Sequence, residues 1–325
     1  MTAPFAQGSH NRKEMPMQIY EYPKENRIGK KCVLALGFFD GVHIAHRDLI
    51  KTARAIADKR GVELGILTFG GGIKAKTERI YDGGEGLEIF ESLGADFTVI
   101  YDFAAIKDMT AEEFVKKILI GELHCEVAVA GYNFRFGRGA LGDAEALARL
   151  MRACGAEAVI REEITDAGLP VSSTRIRDLL ARGEMREAAR LLGLPYYIKG
   201  RVEKGRGDGR TLGFPTVNMA LSQDGAPLRR GVYRSVTSID GVLHASLTNV
   251  GTCPTFPERE AHAETYILDF SGDLYGKDVR VYLIDFMREE IAFSSPDELK
   301  MQINIDKNRV ITENGDEKWQ ELGLK

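Results

Sequence analysis

The sequence predicts an α/β protein in two parts, a doubly wound parallel sheet followed by a small antiparallel β-barrel that ends in a helix. Three observations carry this. Short apolar runs alternate with helical periodicity through the first half. At 193–195 the pattern changes to short alternating strands split by turns. Near the end, Ser295-Pro296-Asp297-Glu298 supplies an N-cap serine, a proline at the first helical position and a capping-box glutamate. With 325 residues, 44% of them hydrophobic and 28% charged, the chain is long enough for two folded domains.

Residues 1–16 are polar and read as a disordered leader. The first domain spans 17–192. Residues 33–36 form an apolar strand, a glycine-bearing turn follows, and 47–59 carry Leu49, Ile50, Ala53, Ile56 and Ala57 at helical spacing. The alternation continues with strand 62–69, helix 87–93, strand 97–100, helix 111–119 and strand 127–130, then helices 176–181 and 185–192. The second domain spans 193–325. Its strands 232–239 and 242–247 flank Asp240-Gly241, a tight-hairpin signal, and 264–270 and 279–286 also alternate.

Composition excludes several function classes. The 44 basic and 48 acidic residues leave a formal charge of -4, which draws neither nucleic acid nor an anionic membrane. No segment approaches the ~20 apolar residues of a membrane span. Cys32, Cys125, Cys154 and Cys253 lie too far apart for a zinc or redox motif and read as buried free thiols. The reading is therefore a soluble cytoplasmic protein whose phosphate binding is local.

Two segments of the first half suit an anion. Gly37-Phe38-Phe39-Asp40-Gly41-Val42-His43-Ile44-Ala45-His46 puts two histidines three residues apart where a strand hands over to a helix. Free N–H groups at the helix start and two imidazoles can stabilise charge growing on an ATP phosphate. Val171-Ser172-Ser173-Thr174-Arg175-Ile176-Arg177 combines hydroxyls at a helix N-cap with arginines in the first turns, a mismatch with the helix dipole that an anion would repair. Polar turn histidines and an ordinary cap with solvated arginines are the plainer alternatives. A third segment, Gly131-Tyr132-Asn133-Phe134-Arg135-Phe136-Gly137, follows an apolar strand and suits a flat ring at the carboxyl end of a parallel sheet, or else anchors itself through its phenylalanines.

In the second half, the glycine-rich basic stretch 200–218 lacks the P-loop spacing. Its backbone N–H groups, including those of Gly205 and Gly207, can still wrap phosphates, and the Thr216 hydroxyl and Asn218 amide oxygen are hard ligands suited to Mg²⁺. Glu264 shares an alternating face with Tyr266, Leu268 and Phe270. An acid there either acts as general base on a substrate hydroxyl attacking the ATP γ-phosphate or snorkels to water from a strand end.

In order and spacing, the three first-half segments resemble the nucleotidylyltransferase (Rossmann-like) domain of prokaryotic bifunctional riboflavin kinase/FAD synthetases. The second half carries GRTLGFPTVN, Asn249-Val250-Gly251-Thr252-Cys253-Pro254-Thr255, HAETYILDF, Leu274-Tyr275-Gly276 and Met287-Arg288-Glu289-Glu290 with Phe293, and closely resembles the riboflavin kinase domain. The resemblance implies riboflavin, FMN and ATP as substrates and Mg²⁺ as cofactor. It implies ATP phosphates at His43 and His46, within a turn lined by Gly37, Phe39 and Asp40, and phosphate binding by Ser172, Ser173, Thr174 and Arg177. It implies flavin contacts from Asn133 and Phe134, Mg²⁺ and ATP at Thr216 and Asn218, Glu264 as base, and Arg288 in a loop closing over the flavin.

The first half departs from the family pattern twice, and the second only at Val217, where the family commonly has alanine, and Met287, where it commonly has leucine. Ala45 stands where the family has glycine between the histidines, and Thr68-Phe69-Gly70-Gly71-Gly72-Ile73 replaces an Asp-Pro-His-Pro segment. Two alternatives to the bifunctional reading stay open: a riboflavin kinase with a weakened or inactive adenylyltransferase domain, and a non-catalytic flavin-binding or sensing protein.

Overall fold

The computed structural model describes residues 16–22, 29–70, 79–81, 84–204, 213–222, 225–251, 262–316 and 324. Residues 1–15 of the leader, residues 71–73 of the departing segment, Gly205, Gly207 and Cys253 lie outside them. By proximity the chain forms two compact units. One comprises Met1–Phe38, Leu49–Ile73 and Leu87–Arg161, the other Phe39–Asp48, Lys74–Gly86 and Glu162–Lys325.

The first unit is built on β1 (Gln18–Tyr22), β2 (Cys32–Leu36), β3 (Glu63–Gly70), β4 (Phe97–Asp102), β5 (Cys125–Gly131) and β6 (Glu157–Arg161). All pair in parallel, in the order β1-β4-β3-β2-β5-β6. Its helices are α1 (Ile44–Arg60) from Leu49 on, α2 (Gly84–Ser92) from Leu87 on, α3 (Phe103–Ile106), α4 (Ala111–Glu113), which continues as a π-helix over Phe114–Glu122, and α5 (Ala144–Ala153). Successive strand residues face opposite sides. Cys32, Leu34 and Leu36 join a core with Phe114, Ile118, Leu147 and Met151, while Val33 and Ala35 on the other face are equally buried. Near-continuous apolar strands are what a sheet covered on both faces requires. Strand order reverses beside β2, which pairs with β3 on one side and β5 on the other. The segments leaving β2 and β5 therefore start where open α/β sheets bind ligands.

The second unit contains a small hairpin, β7 (Thr165–Asp166) with β8 (Leu169–Pro170), and helices α6 (Ser173–Arg182) and α7 (Met185–Leu192). Its sheet uses β9 (Tyr197–Arg201), β10 (Thr216–Ala220), β11 (Gly231–Ile239), β12 (Val242–Gly251), β13 (His262–Ile267) and β14 (Asp278–Arg288), and α8 (Pro296–Asp316) closes the chain. The strands are antiparallel in the order β10-β13-β12-β11-β14-β9. Beyond β9, the Glu203 N–H donates to the Asn218 carbonyl at 2.9 Å, joining the two ends of that order into a barrel. Asp240 and Gly241 take φ of 50° and 82° and make the expected hairpin turn. Val232 and Leu247 on one sheet face, with Leu268 just beyond β13, cluster with Val310 of α8. The other carries buried Ser235, Thr237, Ser246, Thr248 and Thr265, whose hydroxyls are chained at 2.8–2.9 Å, so every polar group of that row is satisfied.

Candidate active sites

The turn after β2 is held in an unusual backbone conformation. Phe39, Gly41 and Val42 have φ of 53°, 75° and 41°, and for a β-branched residue such as Val42 that is a strained state. Gly41 is required twice over, by its φ and because a Cβ would lie 2.6 Å from Ile80 Cδ1. Asp40 fixes the turn: its carboxylate accepts from the Ile80 N–H at 2.9 Å and pairs with Arg177 of α6, and its carbonyl accepts from Ser173 Oγ at 2.9 Å. Burial pushes the Asp40 carboxyl up, against the lowering effects of the Ile80 N–H and of Arg177.

His43 stands immediately before α1 with extended backbone, and its Nδ1 accepts from the His46 N–H at 3.4 Å. That leaves the proton of the neutral ring on Nε2. The two imidazoles stack with centroids 3.6 Å apart. Burial lowers His43 to about 4 and holds His46 well below the usual histidine range, the latter helped by its neighbour. His46 Nδ1 is buried and has no hydrogen-bond partner among the described residues. The turn thus offers two neutral imidazoles at the start of a 17-residue helix, a place for an anion that would draw protons onto them.

The segment opening α6 is tied into the same unit. Ser172 is its N-cap, accepting from the Arg175 N–H, and Thr174 Oγ1 accepts from Arg177 at 3.4 Å. The arginines are not left facing the helix dipole alone, because Arg175 binds Asp166 at 3.0 Å and Arg177 binds Asp40. Gly37 donates its N–H to Leu67 O, and Phe39 is buried against the His46 ring.

After β5, Phe134 turns toward the core. Phe134 is buried and stacks on Phe136, whose ring meets Phe114 of the core. The chain thereby anchors its loop, and the exposed groups at that strand end are Tyr132 and Asn133.

In the barrel the structure brings Glu264 to a pair of residues more than forty positions earlier in the sequence. Asn218 on β10 is directly opposite Glu264 on β13, and Thr216, two residues earlier on the same face, donates its hydroxyl to Glu264 Oε1 at 2.6 Å. The next strand places Asn249 opposite Glu264 on its other side. Strand β13 ends at Ile267, so Leu268 and Asp269 form a turn, and of Tyr266, Leu268 and Phe270 Tyr266 alone shares the Glu264 face within the strand. Arg288 is the last residue of β14 rather than part of a loop, and α8 holds it through Asp306 at 2.8 and 3.0 Å. Asn249 and Asp306 are the residues that sequence reasoning missed. Asn249 opens the stretch 249–255, but only strand register places it beside Glu264.

Comparison with known proteins follows this division. Residues 25–175 match the FAD synthetase family and 192–312 the riboflavin kinase family. The bifunctional riboflavin kinase/FMN adenylyltransferase of Listeria monocytogenes is 34% identical over 84% of this chain and 90% of its own, and that of Bacillus subtilis 32% over 86% and 92%. The crystal structure of a macrolide-efflux protein from Streptococcus pneumoniae superposes with a TM-score of 0.82 at 29% identity, covering 92% of this chain and 99% of that one. Among the described residues no helix is long and apolar enough to cross a membrane. A Rossmann-like sheet joined to a six-stranded barrel defines a two-site, flavin-handling transferase. The chain belongs to the bifunctional riboflavin kinase/FMN adenylyltransferase family.

Proposed function

We propose that residues 193–325 phosphorylate riboflavin with ATP and residues 17–192 adenylylate the resulting FMN to FAD with release of pyrophosphate. The single observation that carries the kinase assignment is the meeting of Thr216, Asn218 and Glu264 on neighbouring strands. Glu264 takes the proton of the attacking ribityl hydroxyl as that oxygen bonds to the γ-phosphorus and ADP leaves. Thr216 holds the carboxylate in place. Its hydroxyl hydrogen is spent on Glu264, so its lone pairs, with the Asn218 amide oxygen, remain as hard donors, and these fit Mg²⁺. The ion, when bound, neutralises phosphate charge.

In the adenylyltransferase part, the FMN phosphate attacks the α-phosphorus of ATP and pyrophosphate leaves. His43 and His46 donate to phosphate oxygens and gain proton affinity as negative charge arrives, while Asp40, Ser173 and Arg177 hold the turn. Asn133, exposed at the end of β5, contacts nucleotide or flavin. Incubation with riboflavin, ATP and Mg²⁺ followed by chromatography tests the division. FMN and FAD peaks are expected. FMN alone leaves a kinase with an inactive first part, and neither product leaves a flavin-binding protein.

A further inference from the structure

The barrel face carries a polar row in register across three strands, Asn218 on β10, Glu264 on β13 and Asn249 on β12, with apolar Val232 of β11 next beyond Asn249. Asn249 is oriented. Its Nδ2 donates to Glu290 Oε1 at 3.2 Å, so the amide cannot turn over without setting oxygen against carboxylate. Gly251 makes this approach possible, since a Cβ there would lie 2.2 Å from the same Glu290 oxygen. The other end of the amide, Oδ1, is buried and has no hydrogen-bond partner among the described residues. A buried acceptor without a donor costs stability unless a ligand supplies one.

We infer that Asn249 Oδ1 accepts a hydrogen bond from a second hydroxyl of the flavin's polyol chain, and so selects substrates that carry one beside the reacting hydroxyl. This rests on the reading of Glu264 as base and of β10 as the phosphate side. The base must touch the attacking oxygen, and Thr216 and Asn218 occupy one flank of Glu264, so the alcohol reaches it from the β12 flank. Asn249 is the polar side chain there. A site that positions a hydroxyl penalises an analogue lacking it, because its own acceptor is left buried and unpaired.

The test compares phosphorylation of riboflavin with that of a flavin whose side chain is an unbranched pentyl group bearing only the terminal hydroxyl. The wild-type chain should favour riboflavin in kcat/KM by about tenfold or more, the scale of one buried hydrogen bond. Asn249→Leu should lose about tenfold on riboflavin and no more than about threefold on the analogue, with its Mg²⁺ dependence unchanged. Equal losses on both substrates would overturn the inference, and so would a raised Mg²⁺ requirement, which would assign Oδ1 to the cation. Retained cooperative thermal unfolding of the barrel shows that the variant is folded, and Asn249→Ser is read in the same way if the leucine variant is not. Glu264→Gln, run in parallel, separates the two readings. It should lose turnover on both substrates alike, and if it does so while Asn249→Leu keeps the wild-type preference, the base stands and this inference falls.

Discussion

The Thr216 hydroxyl donates to Glu264 Oε1 at 2.6 Å from one strand to the next, so one carboxylate oxygen is oriented while the other is left for a substrate proton. Glu264→Gln keeps the shape and the bond from Thr216 but removes the base. FMN formation should fall by ~10² or more. FAD formation from supplied FMN serves as the internal control and should hold. Near-normal FMN production by the variant would remove Glu264 from the chemistry.

Thr216 carries two duties, and substitutions separate them. Thr216→Ala loses both the hydroxyl on Glu264 and the hard donor for Mg²⁺, whereas Thr216→Ser keeps the oxygen. Calorimetric titration should give about tenfold weaker Mg-ATP binding for the alanine variant and near-normal binding for serine, with riboflavin binding unchanged in both. Equal Mg-ATP affinity in all three chains would count against a metal role.

How far these sites were legible in the sequence depended on whether the signal was local. Strand 33–36 and helix 185–192 have strong apolar patterns, and the structure has β2 at Cys32–Leu36 and α7 at Met185–Leu192. The Thr216 and Asn218 pair is two residues apart on one strand, so its shared face follows from alternation. The edge strand Gln18–Tyr22 is short and lacks an apolar alternation, and it exists because β4 pairs with it, which sequence does not reveal. The same holds for the partners of charged groups. Asp40 and Arg177 are 137 positions apart, and nothing local says that the arginine meets a carboxylate. Phe134 is a different case, since an aromatic beside glycines reads alike whether it meets a ligand or the core, and the structure packs it in the core.

Acid should weaken the fold through His43. Its native value of about 4 lies below the ordinary 6.5, so the unfolded chain takes up the proton first as pH falls. Stability is then full above about pH 6.5 and declines towards pH 4, by about 3 kcal/mol in all at about 1.4 kcal/mol per unit. His43→Gln cannot take up that proton. Its unfolding midpoint should fall less between pH 7 and pH 4 than that of the natural chain, and parallel curves would refute the assignment.

The Asp40–Arg177 pair should behave as a unit. Arg177→Met leaves a mostly buried carboxylate without its guanidinium and should destabilise by ~2–4 kcal/mol, while Asp40→Asn with Arg177→Met should recover part of that. A double-mutant cycle on thermal midpoints measures the coupling. Both single variants should also raise the KM for ATP in FAD formation, because the turn bearing His43 loses its tie to α6. Additive effects with normal KM would leave the pair as a surface contact.

Ala45 is the position where the family pattern asks for glycine, and the fold bears on what that change does. It lies in the first turn of α1, half-buried, and is absent from the residues with positive φ. A helical backbone does not need glycine, and alanine favours the helix by up to ~1 kcal/mol. The alanine therefore carries no backbone strain, and any cost must come from its methyl group against a bound nucleotide. Ala45→Gly should lower the thermal midpoint slightly and change kcat/KM for ATP in FAD formation by less than about threefold, whereas His46→Ala should reduce it by ~10². The measurement is pyrophosphate release from supplied FMN and ATP by the natural chain and both variants. A gain of tenfold or more in Ala45→Gly would mean that the methyl crowds the nucleotide, and the reading of a weakened adenylyltransferase would then replace the one proposed.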